Sequence, residues 1–358
     1  MWSNLTGRCL RRALYSVGTL CLATLPPASS GAADPLNMVV IGGLAGVSQF
    51  AKLERPFWTD ELPRLSHGRV RATVRAYDES GFRGQEMLQL MRLGVVPFGT
   101  ALLAVAAGDE PELNAVDLPV MNPDMHALRA SVGRFRERLR TILLERYRVE
   151  LLGVYAYPAQ VLFCTKAFAS LSDMAGRRVR TSSVGQSELI TALGGTPVVL
   201  PFAEMTRGVR DGLVDCAITG TLSGHETGLA DVTTHVHALA INWGLSFFGA
   251  NAAAWEAIPP DMREVIRAGV VGLERKVWDL AEADTALGLA CDTGSPTCPA
   301  GSRKAMSLVS AGPDDEAHRR TLLATKVLPR WVERCGMDCV NSWNALLSDV
   351  VRVDARPE

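Results

Sequence analysis

Two stretches of the chain carry the same alternation of strand and helix, and this restricts the fold more than any other feature. In the first, Met38 to Ile41 is a short apolar run ended by Gly42-Gly43. A helical stretch follows with Val47, Phe50 and Leu53 on one face, and Pro56 opens another helical piece from Phe57 to Leu62. Val70 to Ala76 alternates, with Val70, Ala72 and Val74 on one side, and reads as a strand. Gly81 to Gly84 is a loop, Gln85 to Leu93 a helix closed by Gly94, and Val95 to Phe98 a third strand. In the second stretch, Ala159 to Cys164, Arg178 to Arg180, Pro197 to Leu200 and Cys216 to Ile218 read as strands. Helices over Ser187 to Leu193 and Phe202 to Asp211 separate them. Strand, helix, strand order predicts parallel sheets with crossover helices. Its recurrence predicts an α/β protein of two lobes.

Ser246 to Ala250 is again strand-like, and Pro259-Pro260 then opens a long helix. Its apolar residues Met262, Ile266, Val270, Leu273, Val277 and Leu280 step by four or three. It can run to about Leu289, far beyond the ~11 residues of an ordinary helix. The tail from Ala305 to Val351 reads as helical. The expected organisation has lobe I in residues 34–157 and 242–285 and lobe II in 158–241 and 286–358. The long helix, about 260–289, bridges them. A length of 358 residues suits two domains.

The first 33 residues read as a secretory signal. Arg8, Arg11 and Arg12 precede an apolar run from Ala13 to Leu25, Pro26-Pro27 breaks it, and small residues follow up to Ala33. Leu20 is too large to precede a lipidated Cys21, so the expected product is a soluble periplasmic protein. Cys9 and Cys21 leave with this leader. Cys164 and Cys216 sit singly in apolar runs and read as buried, inert thiols. Cys291, Cys298, Cys335 and Cys339 cluster among Gly, Ser, Pro and Asp. Four cysteines allow three pairings. Cys291–Cys298 and Cys335–Cys339 each close a small loop and are favoured, and an oxidising compartment favours disulfides over a four-cysteine zinc site.

Charge and motif exclude several functions. The net charge is −1, with no clustered basic run for nucleic acid. There is no H-E-x-x-H, G-x-S-x-G, Walker or C-x-x-C motif. His225 lies within ten residues of Ser223 and Asp215, a grouping that chance supplies easily. Gly42-Gly43-Leu44-Ala45-Gly46 lacks the spacing of a dinucleotide fingerprint and reads as a tight turn beside a cleft. No cofactor is required.

The informative stretch is Leu171-Ser172-Asp173-Met174-Ala175-Gly176-Arg177-Arg178-Val179-Arg180. A turn leads into a strand whose Arg178 and Arg180 share a face, and Thr181-Ser182-Ser183 leads on into a helix. An arginine at the carboxyl end of a parallel strand, beside a helix N-terminus, faces the crevice where α/β sheets bind ligands. Its planar fork suits a carboxylate.

This stretch resembles the "L-x-D-L-x-G-x-K-x-R" of the extracytoplasmic solute-binding proteins of tripartite ATP-independent periplasmic (TRAP) transporters. Further segments agree. Ala192-Leu193-Gly194-Gly195-Thr196-Pro197-Val198 with Pro201-Phe202-Ala203-Glu204-Met205 is similar to "A-L-G-A-x-P-V…P-F-x-E-V", and Gly212-Leu213-Val214-Asp215 to "G-x-V-D-G". Gly84-Gln85-Glu86-Met87-Leu88 and Ala254-Trp255-Glu256-Ala257-Ile258-Pro259 match two more family segments. The resemblance implies a periplasmic-binding-protein-like fold that closes on an organic acid and hands it to a membrane permease. It also implies that Arg180 anchors the ligand carboxylate.

The departures bear on specificity. A second arginine found in many members falls here on Gln160. Ile218 and Thr219 replace an acid and an amide, and an acidic pocket position falls on Leu102. With Ser183, Tyr157, Phe98 and Trp243 as further candidate walls, the expected ligand is a monocarboxylate with an apolar or aromatic body. A secreted enzyme of the same shape, or a receptor serving a sensor kinase, remain alternatives.

Overall fold

The computed structural model describes residues 34–357, so the expected leader at 1–33 lies outside the described residues. In chain order the strands are β1 (Leu36–Gly42), β2 (Val70–Ala76), β3 (Phe98–Leu102), β4 (Val149–Tyr155), β5 (Gln160–Cys164), β6 (Arg178–Thr181), β7 (Thr196–Val199), β8 (Cys216–Gly220), β9 (His235–His237), β10 (Ser246–Asn251) and β11 (Ser307–Val309). They form two sheets, β2-β1-β3-β10-β4 and β11-β9-β5-β8-β6-β7. Within each stretch the strand–helix order gives parallel pairs as expected from the sequence, β1 with β2 and β3, and β6 with β7 and β8, whereas β5, read as part of the second parallel unit, is antiparallel. The third strand is displaced from Val95–Phe98 to Phe98–Leu102. That strand pairs on both sides, with β1 and β10, and Pro97 has no N–H to give to a central ladder.

Besides the long helical connection from β10 to β11, the chain passes between the sheets at two places, from β4 to β5 and from β9 to β10. β5 and β10, the strands entered by these crossings, are antiparallel to both neighbours. The two crossing segments are clipped together: Gln160 N donates to Asn242 O at 2.7 Å and Ile241 N to Gln160 O at 2.8 Å. Every strand of the first sheet falls within 34–157 or 242–285, and every strand of the second within 158–241 or 286–358.

The Pro260–Asp292 helix spans this junction. Met262, Ile266, Val270, Leu273 and Val277 pack with Met38, Val40, Leu152 and Phe248 of the first sheet. Burying each of these side chains contributes roughly 1.5–3 kcal/mol. Past the crossing, Thr285 Oγ1 accepts from Ala159 N at 3.0 Å, and Thr221 Oγ1 donates to Asp284 O at 3.2 Å. Gly288 lies against the Thr221–Glu226 helix so closely that a Cβ there would sit 2.2 Å from Leu222 N. One helix therefore grips both lobes.

Two expectations need correction. Cys164 and Cys216 are joined in a disulfide, not free thiols. They are directly opposed on antiparallel β5 and β8, with Cα atoms 4.1 Å apart, and an apolar flank looks the same around a thiol as around a half-cystine. Cys291–Cys298 and Cys335–Cys339 are bonded as the sequence suggested. The second correction concerns the tail. Residues 313–357 do not belong to the second lobe alone: Trp331 Nε1 donates to Pro111 O at 2.8 Å, and Arg319 Nη1 to Met121 O at 2.8 Å. The Arg334–Glu188 pair, 2.8 Å, ties the same tail to the second lobe.

Candidate functional site

β6 presents its arginines differently. Arg178, at the exposed start of the strand, is held by Asp215 at 2.7 Å, and Arg177 donates to the carbonyls of Lys166 and Ala167. Arg180 is only 3% exposed. Its Nε donates to Leu200 O at 3.0 Å and its Nη1 to Ile218 O at 2.7 Å. Among the described residues no carboxylate lies within ion-pairing distance of it. Burial pulls its pKa down to about 10, partly offset by the nearby Tyr77, so it stays a cation at neutral pH. Burying a charge without a partner is costly, and a ligand anion would relieve that cost.

Arg180 faces a cavity of about 570 Å³ between the two sheets. The first lobe contributes Leu44 and Val47 from the segment after β1, Tyr77 after β2, Leu102 at the end of β3, and Tyr157. These are the carboxyl ends of strands, where open α/β sheets bind ligands. Gly42 and Gly43 make this approach possible. A Cβ at Gly42 would be 2.5 Å from Phe50 Cε2, and one at Gly43 2.9 Å from the Tyr157 hydroxyl. Behind the loop, buried Glu54 accepts from Gly43 N at 2.8 Å and from Thr100 Oγ1 at 2.7 Å. Desolvation raises the Glu54 pKa against those two hydrogen bonds, and burial likewise raises that of Tyr157.

The second lobe contributes Thr219, Leu200 and Phe202, and the crossings contribute Gln160 and Asn242. Phe202 packs against the first-lobe cluster that holds Val47 and Tyr157, and a Cβ at Gly46 would lie 3.5 Å from its ring, so the two walls meet over the cavity. The floor is stiffened by a buried polar chain. Gln186 Nε2 donates to Asn242 Oδ1 at 2.9 Å, and Asp117 accepts from the backbone of Trp243 at 3.0 Å and Gly244 at 2.8 Å.

Of the residues singled out in the sequence, Arg180, Gln160, Thr219 and Tyr157 line this one cavity. The others do not. Ser183 caps the Val184–Ala192 helix, accepting from Gln186 N at 3.3 Å, and lines a more open groove alongside. Phe98 is on the other face of its sheet, packed with Trp58 and Phe248. Trp243 is buried in the core with Nε1 donating to Asn122 O at 3.1 Å. Both are large aromatics near strand ends, and only the side of the sheet separates packing from recognition. The His225 grouping is also dispersed: His225 pairs with Asp292 at 2.9 Å, whereas Asp215 holds Arg178. Tyr77, Phe202 and Leu44 were missed. The rule that ligands sit at strand carboxyl ends could have found the first and third.

Residues 48–287 match the family model described as bacterial extracellular solute-binding protein, family 7. Among solved structures, a Bordetella pertussis extracytoplasmic solute receptor binding pyroglutamic acid is 19% identical with TM-score 0.76, covering 89% of this chain and 100% of its own. A TRAP periplasmic solute-binding protein from Desulfovibrio salexigens with bound orotic acid is 14% identical with TM-score 0.77, covering 88% and 99%. One from Pseudomonas aeruginosa PAO1 with bound L-malate is 18% identical with TM-score 0.69, covering 80% and 97%. Identities this low establish a shared fold, not a shared ligand.

Proposed function

Taking as premise that this chain belongs to family 7 of the bacterial extracellular solute-binding proteins, the solute receptors of TRAP transporters, we propose that it captures one small organic carboxylate on Arg180 and delivers it to a membrane permease. Members of the family are transport receptors of the periplasm rather than enzymes. Among the described residues no helix is long and apolar enough to cross a membrane. The reading places the mature protein in the periplasm after removal of residues 1–33.

The observation that carries the reading is the unpaired, buried Arg180 cation at the wall of a cavity shared by both lobes. Two carbonyls orient its guanidinium without neutralising it, which leaves the charge to the ligand. Gln160, Leu102 and Thr219 supply no second fixed charge, and Leu44, Val47 and Phe202 supply apolar surface. This arrangement favours a monocarboxylate over a dicarboxylate. A ligand held by Arg180 on one lobe and by the walls of the other binds the closed state better than the open one, and that difference drives closure.

Calorimetric titration of the purified protein with mono- and dicarboxylates tests the reading. Saturable one-to-one binding of monocarboxylates, tighter than that of dicarboxylates of similar size, is expected. Binding only of dicarboxylates would overturn the pocket assignment, and conversion of a bound acid to product would restore the enzyme reading.

A further inference from the structure

Resting on the reading of Arg180 as the carboxylate anchor, we infer that Gln160, Thr219 and Ser223 form a second recognition subsite for a neutral group that both donates and accepts hydrogen bonds, a carboxamide or lactam carried by the same acid. All three side chains line the cavity that Arg180 faces. Thr219 and Ser223 are buried at 2% and 6% exposure, no group among the described residues hydrogen-bonds to either hydroxyl, and both residues line the cavity. The Gln160 carbonyl oxygen has no partner among them either, and its Nε2 makes only a long 3.4 Å contact with Pro158 O.

These groups are gathered by the backbone. Gln160 begins β5 and is paired with Gly220 at the end of β8, one residue beyond Thr219. A Cβ on Gly220 would lie 3.1 Å from Ser223 Oγ and 3.4 Å from Gln160 Nε2, so the two polar tips flank one glycine. A Cβ on Gly244 would lie 3.2 Å from the same Nε2. Two glycines thus keep the space around this amide clear. The crossing hydrogen bonds to Asn242 O and from Ile241 N fix the Gln160 backbone, so the amide projects from a rigid point.

The chemistry of the walls selects the occupant. A buried hydroxyl or amide without a partner is unfavourable, and an apolar ligand body would leave three such groups dry. A second carboxylate would meet no second cation here. Arg83 also reaches the lining, but it is exposed and already held by Glu86. A neutral amide satisfies Gln160 on both its donor and acceptor sides and leaves the hydroxyls, which rotate to suit, to complete the set. The acid is therefore less apolar than the sequence alone suggested.

Two matched pairs of acids test this by calorimetry: pyroglutamate against cyclopentanecarboxylate, and N-acetylglycine against 4-methylpentanoate. Within each pair the carboxylate and size are alike, and only the amide differs. Wild-type protein is expected to bind at least one amide member about 10-fold or more tighter than its partner. Gln160→Leu and Thr219→Val are expected to shrink that gap to about 2–3-fold, by weakening the amide member and, with a dry polar group removed, tightening the amide-free one; an unchanged far-ultraviolet circular dichroism spectrum reports that each variant is folded. Equal binding within both pairs by the wild type, or a gap that survives both substitutions, overturns the subsite but leaves Arg180 standing. Failure of every acid to bind overturns the Arg180 reading and the subsite with it.

Discussion

Replacing Arg180 by Met separates a ligand anchor from a structural residue, because the two roles move stability and affinity in different directions. The guanidinium is almost fully buried, and burial pulls its pKa to about 10. A depression of that kind corresponds to a cost on the order of 3 kcal/mol for holding the cation inside the empty receptor. The sign follows from the state of the group. Below about pH 10 Arg180 is charged in the folded and unfolded chain alike, so the burial cost is present throughout the neutral range. Its hydrogen bonds to Leu200 O and Ile218 O return about 1–2 kcal/mol. Methionine keeps most of the volume and removes the charge. The ligand-free variant should therefore melt at or slightly above the wild-type temperature. Affinity should fall, because a bound carboxylate would lose its buried partner, at about 3–5 kcal/mol. That is at least ~100-fold in Kd. Differential scanning calorimetry and titration calorimetry on the same preparation read both quantities. A variant that melts several degrees lower, or that binds the acid as the wild type does, refutes the argument.

Other consequences are as direct. Reducing or deleting the Cys164–Cys216 bond, which closes 52 residues of chain, should lower unfolding free energy by about 4 kcal/mol in denaturant titrations. Gly288→Ala should destabilise by 2 kcal/mol or more, roughly, because its Cβ would meet the Leu222 backbone, whereas Gly272→Ala, with open space around it, should stabilise by about 0.5–1 kcal/mol. Melting temperatures of the two variants should fall on opposite sides of the wild type. Burial lifts Asp292 to about 6 despite His225 beside it. A raised carboxyl keeps its proton in the folded state after the unfolded chain has lost it, so stability should fall as pH rises from about 4 to 6. Asp292→Asn should flatten that slope in urea titrations across the same range.

How much of this fold a reader of the sequence can recover depends on which signals are local. β2 and the start of the Pro260 helix were legible to the residue, because alternation in one and Pro259-Pro260 in the other are written in adjacent positions. The Met125–Tyr147 helix and β4 went unread, although Asp124 caps the helix through Ala127 N and Leu128, Val132, Phe135 and Leu139 step along its buried face. Its arginines and glutamates dilute the apolar stripe, and they are not idle. Arg136 reaches Glu274 on the long helix at 2.6 Å, and Arg138 reaches buried Glu112 at 2.6 Å. A helix held partly by ion pairs to distant elements carries a weaker hydrophobic period than one held by packing alone. The β3 displacement has a similar origin, since what forbids Pro97 a place in the ladder is a neighbour, β10, that lies about 150 residues away in the chain.

The site divides along the same line. Arg180 stands out in the sequence because its surroundings are local, a turn at Gly176, a strand, then a helix cap at Ser183, and because the anchoring arginine of the family resemblance falls on it. Which aromatics wall the cavity was not, because the two faces of a strand end differ only in what lies opposite. Phe98 turns toward Trp58 and Phe248, while Tyr157 lies under Gly43 and Phe202 arrives from the other lobe. The polar partners were harder still, since a hydroxyl is informative only when it lacks a partner, and that is a property of the assembled cavity. Thr219 sits two residues from Ala217, the strand partner of Arg180, which places both side chains on one face of the sheet. Gln160 reaches the same space only because the chain crosses between sheets at that residue. On the proposed reading, specificity is set where the chain changes lobes, and the groups offered to the ligand are those the crossing segments hold in register.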